Sequence, residues 1–471
     1  MRGKGFALAA GCMAMVAACG GGGSSSAPPT GGVAPTPTPT PAPTAAACSL
    51  SARQSWALAQ LQEWYLFPSL FNAAANPASY TTLQAYIDAL VAPARAQSRD
   101  RFFTYVTSIA EENAFYEQGA TAGFGIRLGY DGVNNRVFVI EAFEGAPALA
   151  AGLDRGTELI QIDGQSVGTL MAAGGPSAVI QALGPDTAGT SRTLVIRQLS
   201  GVQQTVTISK VVFALDPVSD RYGVSVIADG ARQVGYLNLR TFIDTAGPDL
   251  RAAFAQFKAQ GISELIVDLR YNGGGLISIA ELMGDLMGEG KAGQVFGYVA
   301  FRDSKAANNE TILFQARTEA IAPTRVAFIG TGGTASASEM VVNGMVPFLG
   351  TNMALVGSNT FGKPVGQIAL DKPECDDRLR AVALKIENRD RQGEYYTGLA
   401  STVPVTCRAT DDISRQLGDP NEAMVKVALD FLAGRPCTAI GAIGVQAAPA
   451  RALLRPEAPR STAQRELPGA Y

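Results

Sequence analysis

The stretch TASASEM, residues 334–340, sets two serines and a threonine between an apolar run, RVAFIG (325–330), and VVNGM. A strand that turns into a helix at such a point can expose a hydroxyl nucleophile. A serine hydroxyl is weak and needs a base. The chain has no histidine, which excludes the Ser-His-Asp arrangement. The remaining nitrogen base is lysine, which acts only when neutral, a state that burial favours by penalising the ammonium. No lysine has a serine three residues before it, so the S-x-x-K arrangement is absent too. Lys363 stands out, in the glycine-flanked loop GSNTFGKPVGQ (357–367) directly after the apolar run MALVG (353–357). A β-α-β crossover would return that loop beside the start of the helix that follows TASASEM, so that Lys363 and the serines converge. Gln367, four residues on, can hydrogen-bond the lysine and orient it. The plainer readings are a surface-loop lysine and a helix cap. Ser336-x-x-Glu339 has the capping-box pattern, and a cap serine can still be a nucleophile if its rotamer turns toward the lysine.

The elements that must position these residues lie in the second half of the chain. VGYLNLRTF (234–242) reads as a strand and GPDLRAAFAQFKAQG (247–261) as an amphipathic helix ended by Gly261. ELIVDLR (264–270) is a buried strand, NGGG (272–275) a tight turn, and LISIAELMGDLM (276–287) a further helix. Strands alternating with helices imply a layered, largely parallel sheet. In such sheets ligands sit beyond the carboxyl ends of the strands, where NGGG and TASASEM both fall. Residues 118–212 have another texture, short alternating strands with glycine turns. Residues 48–117 read as helical, with Trp56, Leu61 and Trp64 near helical spacing and Pro68 as a stop.

Composition bounds the rest. At 47% hydrophobic and 17% charged, the chain is globular in type, and a net charge of −3 gives no electrostatic case for nucleic acid. The length after the leader suggests two to three domains. Residues 1–18 have Arg2 and Lys4 before a short apolar stretch, the pattern of a signal peptide rather than a spanning helix. Residues 20–47 are Gly/Ser- and Pro/Thr-rich, a tether that cannot bury a core. Cys48, Cys375, Cys407 and Cys437 suggest up to two disulfides in an exported chain, with Cys48–Cys437 and Cys375–Cys407 expected from chain ends and proximity. Without histidine or a CxxC pair, no zinc site is expected, and no cofactor. Residues 438–471, rich in Ala, Arg and Pro, are expected to be a poorly ordered tail.

Three resemblances add to this reading. VAAC (16–19) resembles a bacterial lipobox, which implies cleavage before Cys19, lipid attachment there, and a place in the bacterial envelope, on the periplasmic side of the outer membrane. GFGIRLGY (123–130) followed by RVFVIEAFEGAPALAAGLDRGTELIQIDGQSV (136–167) resembles a PDZ domain over 118–212. In that pattern Gly123, Phe124, Gly125 and Ile126 form the loop whose backbone N–H groups would nest a C-terminal carboxylate, beside a sheet edge that takes a peptide strand. The ordered set ELIVDLRYNGGG, GGTASASEMVVNGM and GSNTFGKPVGQ, with SRDRFF (98–103) before and LGDPNEAMVKVALDFL (417–432) after, resembles the C-terminal processing (tail-specific) peptidases over about 55 to 435.

That resemblance implies an α+β multidomain chain: an N-terminal helical domain (48–117), the PDZ domain, and an α/β core of crotonase/ClpP type (213–437). It implies a serine–lysine dyad with Lys363 as base and Gln367 in support. The backbone N–H of Ala337 and of Gly273 or Gly274 would make the oxyanion hole. Motif position assigns the nucleophile to Ser336. The gap to Lys363 is 27 residues from Ser336 and 25 from Ser338, and the shorter one fits the family spacing better, so Ser338 stays as the alternative. Protein or peptide substrates engaged through their C-termini are the expected partners. A catalytically silent, peptide-binding lipoprotein is the alternative function, and a latent peptidase gated by the PDZ domain a third.

Overall fold

The computed structural model describes residues 46–441, 451–456, 459 and 461–471. Cys19 and the leader lie outside the described residues. No described helix is long and apolar enough to cross a membrane.

Val, Ile and Leu runs flanked by glycine build a six-stranded sheet in the order Val224–Asp229, Arg232–Asn238, Glu264–Asp268, Arg325–Gly330, Met353–Gly357 and Thr406–Arg408. All neighbours run parallel except the first hairpin. The central strands are buried on both faces, as parallel strands covered by helices must be. Helices Ala246–Ala259, Ile277–Leu286 and Ala337–Leu349 pack in one core with Phe254, Met283 and Met345. Helix Ala423–Leu432 covers the other face through Val425 and Leu429. The five parallel strands end on one rim, and from it rise the NGGG turn, TASASEM and the Lys363 loop.

A five-stranded antiparallel sheet stands beside this core. Its long strand Asp377–Asn388 pairs with Tyr105–Ser108, Val295–Phe301 and Val365–Lys372. Helices Leu50–Trp64 and Leu83–Ala96, capped by the Ser49 and Thr82 side chains, close over it. Leu61, Tyr86 and Leu90 share one core there with Val365 and Val382. The aromatic-rich first helix is thus packing surface for the sheet that carries the lysine loop.

The third body is a seven-stranded sheet with its own core around Leu128, Val139 and Leu194. A two-stranded ribbon, Ala120–Gly123 with Val211–Ala214, carries the chain in and out of it. Its edge strand Ile126–Asp131 pairs on one side with Arg136–Ala142 and on the other with Ala452–Leu453.

Two expectations need correction. The disulfides join Cys48 to Cys375 and Cys407 to Cys437. The tight turn Pro373–Cys375 sits against the start of the first helix, where Cys48 lies, and the chain leaving helix Ala423–Leu432 returns along strand Thr406–Arg408, where Arg408 N–H donates to Thr438 O. Spacing in sequence could not see either return. The tail, expected to be poorly ordered, carries strand Ala452–Leu453 and helix Thr462–Glu466. From Thr462 to Tyr471 every residue is buried except the half-buried Arg465.

Candidate active site

Ser336 is the N-cap of helix Ala337–Leu349 and has φ 56° and ψ −115°. A positive φ is unfavourable for a residue with a Cβ and is sustained only where the surroundings impose it, a condition common at reactive turns. The turn NGGG imposes it here. A Cβ built on Gly274, itself at φ 121°, would lie 2.8 Å from Ser336 Cβ and 3.2 Å from Ala337 N, so only glycine leaves room for the serine. Ser336 and Glu339 form the capping-box pair. The Glu339 half is a hydrogen bond, with Ser336 N–H donating to Oε2 at 3.1 Å, and in the reciprocal half the Ser336 side chain faces the backbone N–H of Glu339. Ser336 is half-buried.

Ser338 differs in kind. It is fully buried, and its hydroxyl donates to Asn272 O at 3.1 Å. Asn272 also accepts from Ala335 N–H at 3.0 Å and offers Oδ1 to Gly274 N–H at 2.9 Å. This last bond occupies Gly274 N–H, which leaves Gly273 of the two glycines expected as oxyanion donors. Gly273 N–H donates to the main-chain oxygen of Glu466 at 3.1 Å.

The Lys363 loop is hung from the same helix. Glu339 is fully buried and accepts four hydrogen bonds. Oε2 takes Ser336 N–H and Lys363 N–H, the latter at 2.7 Å, while Oε1 takes Gly362 N–H at 2.7 Å and Thr360 Oγ1 at 2.6 Å. Burial raises its carboxyl above the usual value, and these donors oppose that rise. One carboxylate thereby holds the backbones of Ser336 and Lys363 together. Lys363 Nζ donates to Gln367 Oε1 at 2.7 Å, and Gln367 Nε2 donates to Phe103 O at 2.5 Å. Burial lowers the Lys363 ammonium below the usual lysine value, and the charge of Glu466 opposes the shift. Ser336 Oγ and Lys363 Nζ are brought to one rim but share no hydrogen bond.

Arg101 supports the lysine loop from outside. It donates to Phe361 O at 2.6 Å and Gly362 O at 2.5 Å and lies 4.1 Å above the Phe361 ring. Asp100 beside it is fully buried and accepts from Phe103 N–H, Thr104 N–H and Tyr65 Oη. SRDRFF thus braces the base from another element, a role its sequence alone did not specify.

The glycine loop of the seven-stranded body is also occupied. Gly125 N–H and Ile126 N–H donate to Tyr471 O at 3.0 and 3.1 Å. A Cβ on Gly123 would meet Tyr471 C at 2.7 Å. Phe124 turns its fully buried ring into the core, and its carbonyl accepts from Ala148 N–H. The Gly125 and Ile126 N–H groups of the expected nest therefore face a backbone carbonyl. Arg127 was missed by sequence reasoning. It is fully buried, pairs with Glu141 at 2.9 Å, and donates from one nitrogen to both Tyr271 O and Pro468 O.

Residues 233–395 match the model of peptidase family S41. The C-terminal processing peptidase of Tetradesmus obliquus chloroplasts is 26% identical over 54% of this chain and 53% of its own length. The carboxyl-terminal-processing protease of Synechocystis sp. is also 26% identical, over 67% of this chain and 69% of its own. The chain thus spans about half the length of the first of these curated relatives. A crystal structure of an S41 protease from Bacteroides fragilis superposes with a TM-score of 0.63 at 22% identity, covering 80% of this chain and 97% of that one, a likeness of fold. Residues 233–395 are thus similar to peptidase family S41, and the curated relatives are carboxyl-terminal processing proteases.

Proposed function

We propose that this chain is a serine endopeptidase of the carboxyl-terminal processing type, with Ser336 as nucleophile and Lys363 as general base. The observation that carries the reading is the Glu339 carboxylate, which ties the strained Ser336 to a half-buried lysine whose ammonium is disfavoured. Neutral Lys363 takes the proton of Ser336 Oγ as the oxygen attacks a peptide carbonyl. The N–H groups of Gly273 and Ala337 receive the developing oxyanion. The protonated lysine then delivers its proton to the leaving amine, and water hydrolyses the acyl-enzyme ester. Gln367 orients Nζ throughout. Ser338 is the weaker candidate, because its hydroxyl is already bonded to Asn272 O and has no path to the cleft.

The seven-stranded body is read as a PDZ domain that engages substrate C-termini, and Cys19 as a lipid anchor in the cell envelope. Ser336→Ala and Lys363→Ala should each abolish cleavage of an unfolded protein while the circular dichroism spectrum is unchanged. Full activity in Ser336→Ala would transfer the role to Ser338. Palmitate labelling that persists in Cys19→Ser would remove the anchor from the account.

A further inference from the structure

The edge strand Ile126–Asp131 is covered along its length by the chain's own tail. Leu454 N–H donates to Leu128 O, and Leu128 N–H to Gly469 O at 2.8 Å. Tyr471 N–H donates to Ile126 O at 2.8 Å, and Ala470 bridges antiparallel to Arg127. This is strand addition, the geometry by which a sheet edge takes a peptide. The Tyr471 ring sits in the core of that body, and its hydroxyl donates to Leu454 O at 3.2 Å. Five residues upstream the same segment lays Glu466 O on Gly273 N–H at 3.1 Å, and the Glu466 carboxylate accepts from Tyr116 Oη at 3.0 Å. Arg127 bonds Pro468 O and Tyr271 O together, fixing the span between groove and glycine turn.

We propose that residues 462–471 are a built-in ligand that fills the peptide groove and the oxyanion position at once, and that the external peptides this groove admits place an aromatic ring where Tyr471 sits and must displace this segment. The segment satisfies each group an incoming peptide would need: the loop N–H pair, the strand edge, the aromatic pocket and the Gly273 donor. It does so from the same molecule, where its effective concentration is far above that of a free peptide. The pocket fits a ring because Tyr471 is only 4% exposed among Leu128, Val179 and Leu183, and an acidic side chain there would be buried without a partner. Occupancy of the groove stands on these contacts alone. The blocking of hydrolysis rests on the peptidase reading above.

The test frees the groove by substitution, because removing residues 462–471 strips apolar cover from the fold. The variant is Gly469→Val, where φ is 85° and a Cβ would meet Leu128 O at 2.8 Å, so the tail is expelled without shortening the chain. A fluorescent Glu-Leu-Pro-Gly-Ala-Tyr peptide is titrated by anisotropy against full-length protein in a Ser336→Ala background, with and without Gly469→Val. Binding should tighten at least about tenfold on expulsion of the tail, as competition in cis requires, and the same peptide ending in Asp should not bind. Equal binding with and without Gly469→Val, or no binding to either, overturns the proposal. With Ser336 intact, Gly469→Val should raise cleavage of an unfolded protein several-fold, and unchanged or lower cleavage by an otherwise active enzyme overturns the blocking role. If no variant cleaves while the peptide binds as expected, the peptidase reading fails and the built-in ligand stands.

Discussion

Lys363 and Ser338 carry the sharpest expectations at the level of single residues. A lysine base works as the free amine, so activity is lost as pH falls through its folded value. Burial sets that value below 10.5. The acid limb of kcat/KM against pH should therefore lie below the usual lysine range, and a profile that stays flat or rises only at or above 10.5 would count against Lys363 as base. Ser338→Ala should leave cleavage intact and cost about 1 kcal/mol of stability in urea denaturation, the worth of one buried hydroxyl bond to a carbonyl. The types of these residues were legible in the sequence: a missing histidine narrowed the base to lysine, and Lys363 was singled out by its loop. Between the serines the sequence pointed both ways, motif position to Ser336 and spacing to Ser338. The backbone distinguishes them, burying the Ser338 hydroxyl in a bond to Asn272 O and holding Ser336 at a positive φ.

Among the elements, the site depends on a helix start and a loop meeting over one carboxylate. Glu339 accepts two backbone N–H groups from the lysine loop and one from the nucleophile turn. Glu339→Ala would leave these donors buried and unpaired, at a cost on the order of 3 kcal/mol. Because the loop would then drift, kcat should fall more than KM rises. A variant that loses stability alone, with kcat unchanged, would show that Glu339 holds the fold but not the site. The capping-box pattern announced a pairing of Ser336 with Glu339. What it could not announce is that the same carboxylate reaches a loop more than twenty residues onward, since that contact belongs to the crossover and not to the helix. Strand and helix order in the parallel sheet was readable from alternating apolar runs, and the disulfide pairs were not, because they follow chain returns that carry no local signal.

Across the whole molecule, the seven-stranded body is joined to the six-stranded core through buried charge, Glu141 pairing with Arg127 and Arg240. Burial alone would raise the Glu141 carboxyl, but the guanidinium groups of Arg240 and Arg127 outweigh it and pull it down to about 2. A depressed carboxyl contributes stability that is present above its unfolded value of 4.5 and is lost as pH falls through about 2. Acid titration followed by intrinsic fluorescence should show loosening in that window, and Glu141→Gln should remove this part of the pH dependence. The tail was the least legible part of the molecule. Its Ala, Pro and Arg content has no core periodicity, and its partners on the strand Ile126–Asp131 lie more than three hundred residues earlier in the chain. A segment that borrows its hydrogen bonds from another body's edge has no need of a pattern of its own.

The covering of the edge strand has a consequence in time. The ribosome makes residues 462–471 after every part of both surfaces they join, so groove and cleft are complete before anything in cis can fill them. Proteins fold in that order too, with early domains settling while later residues are still being added. A newly made molecule therefore passes through an interval in which the strand Ile126–Asp131 lacks this cover, and the emergence of residues 462–471 ends it.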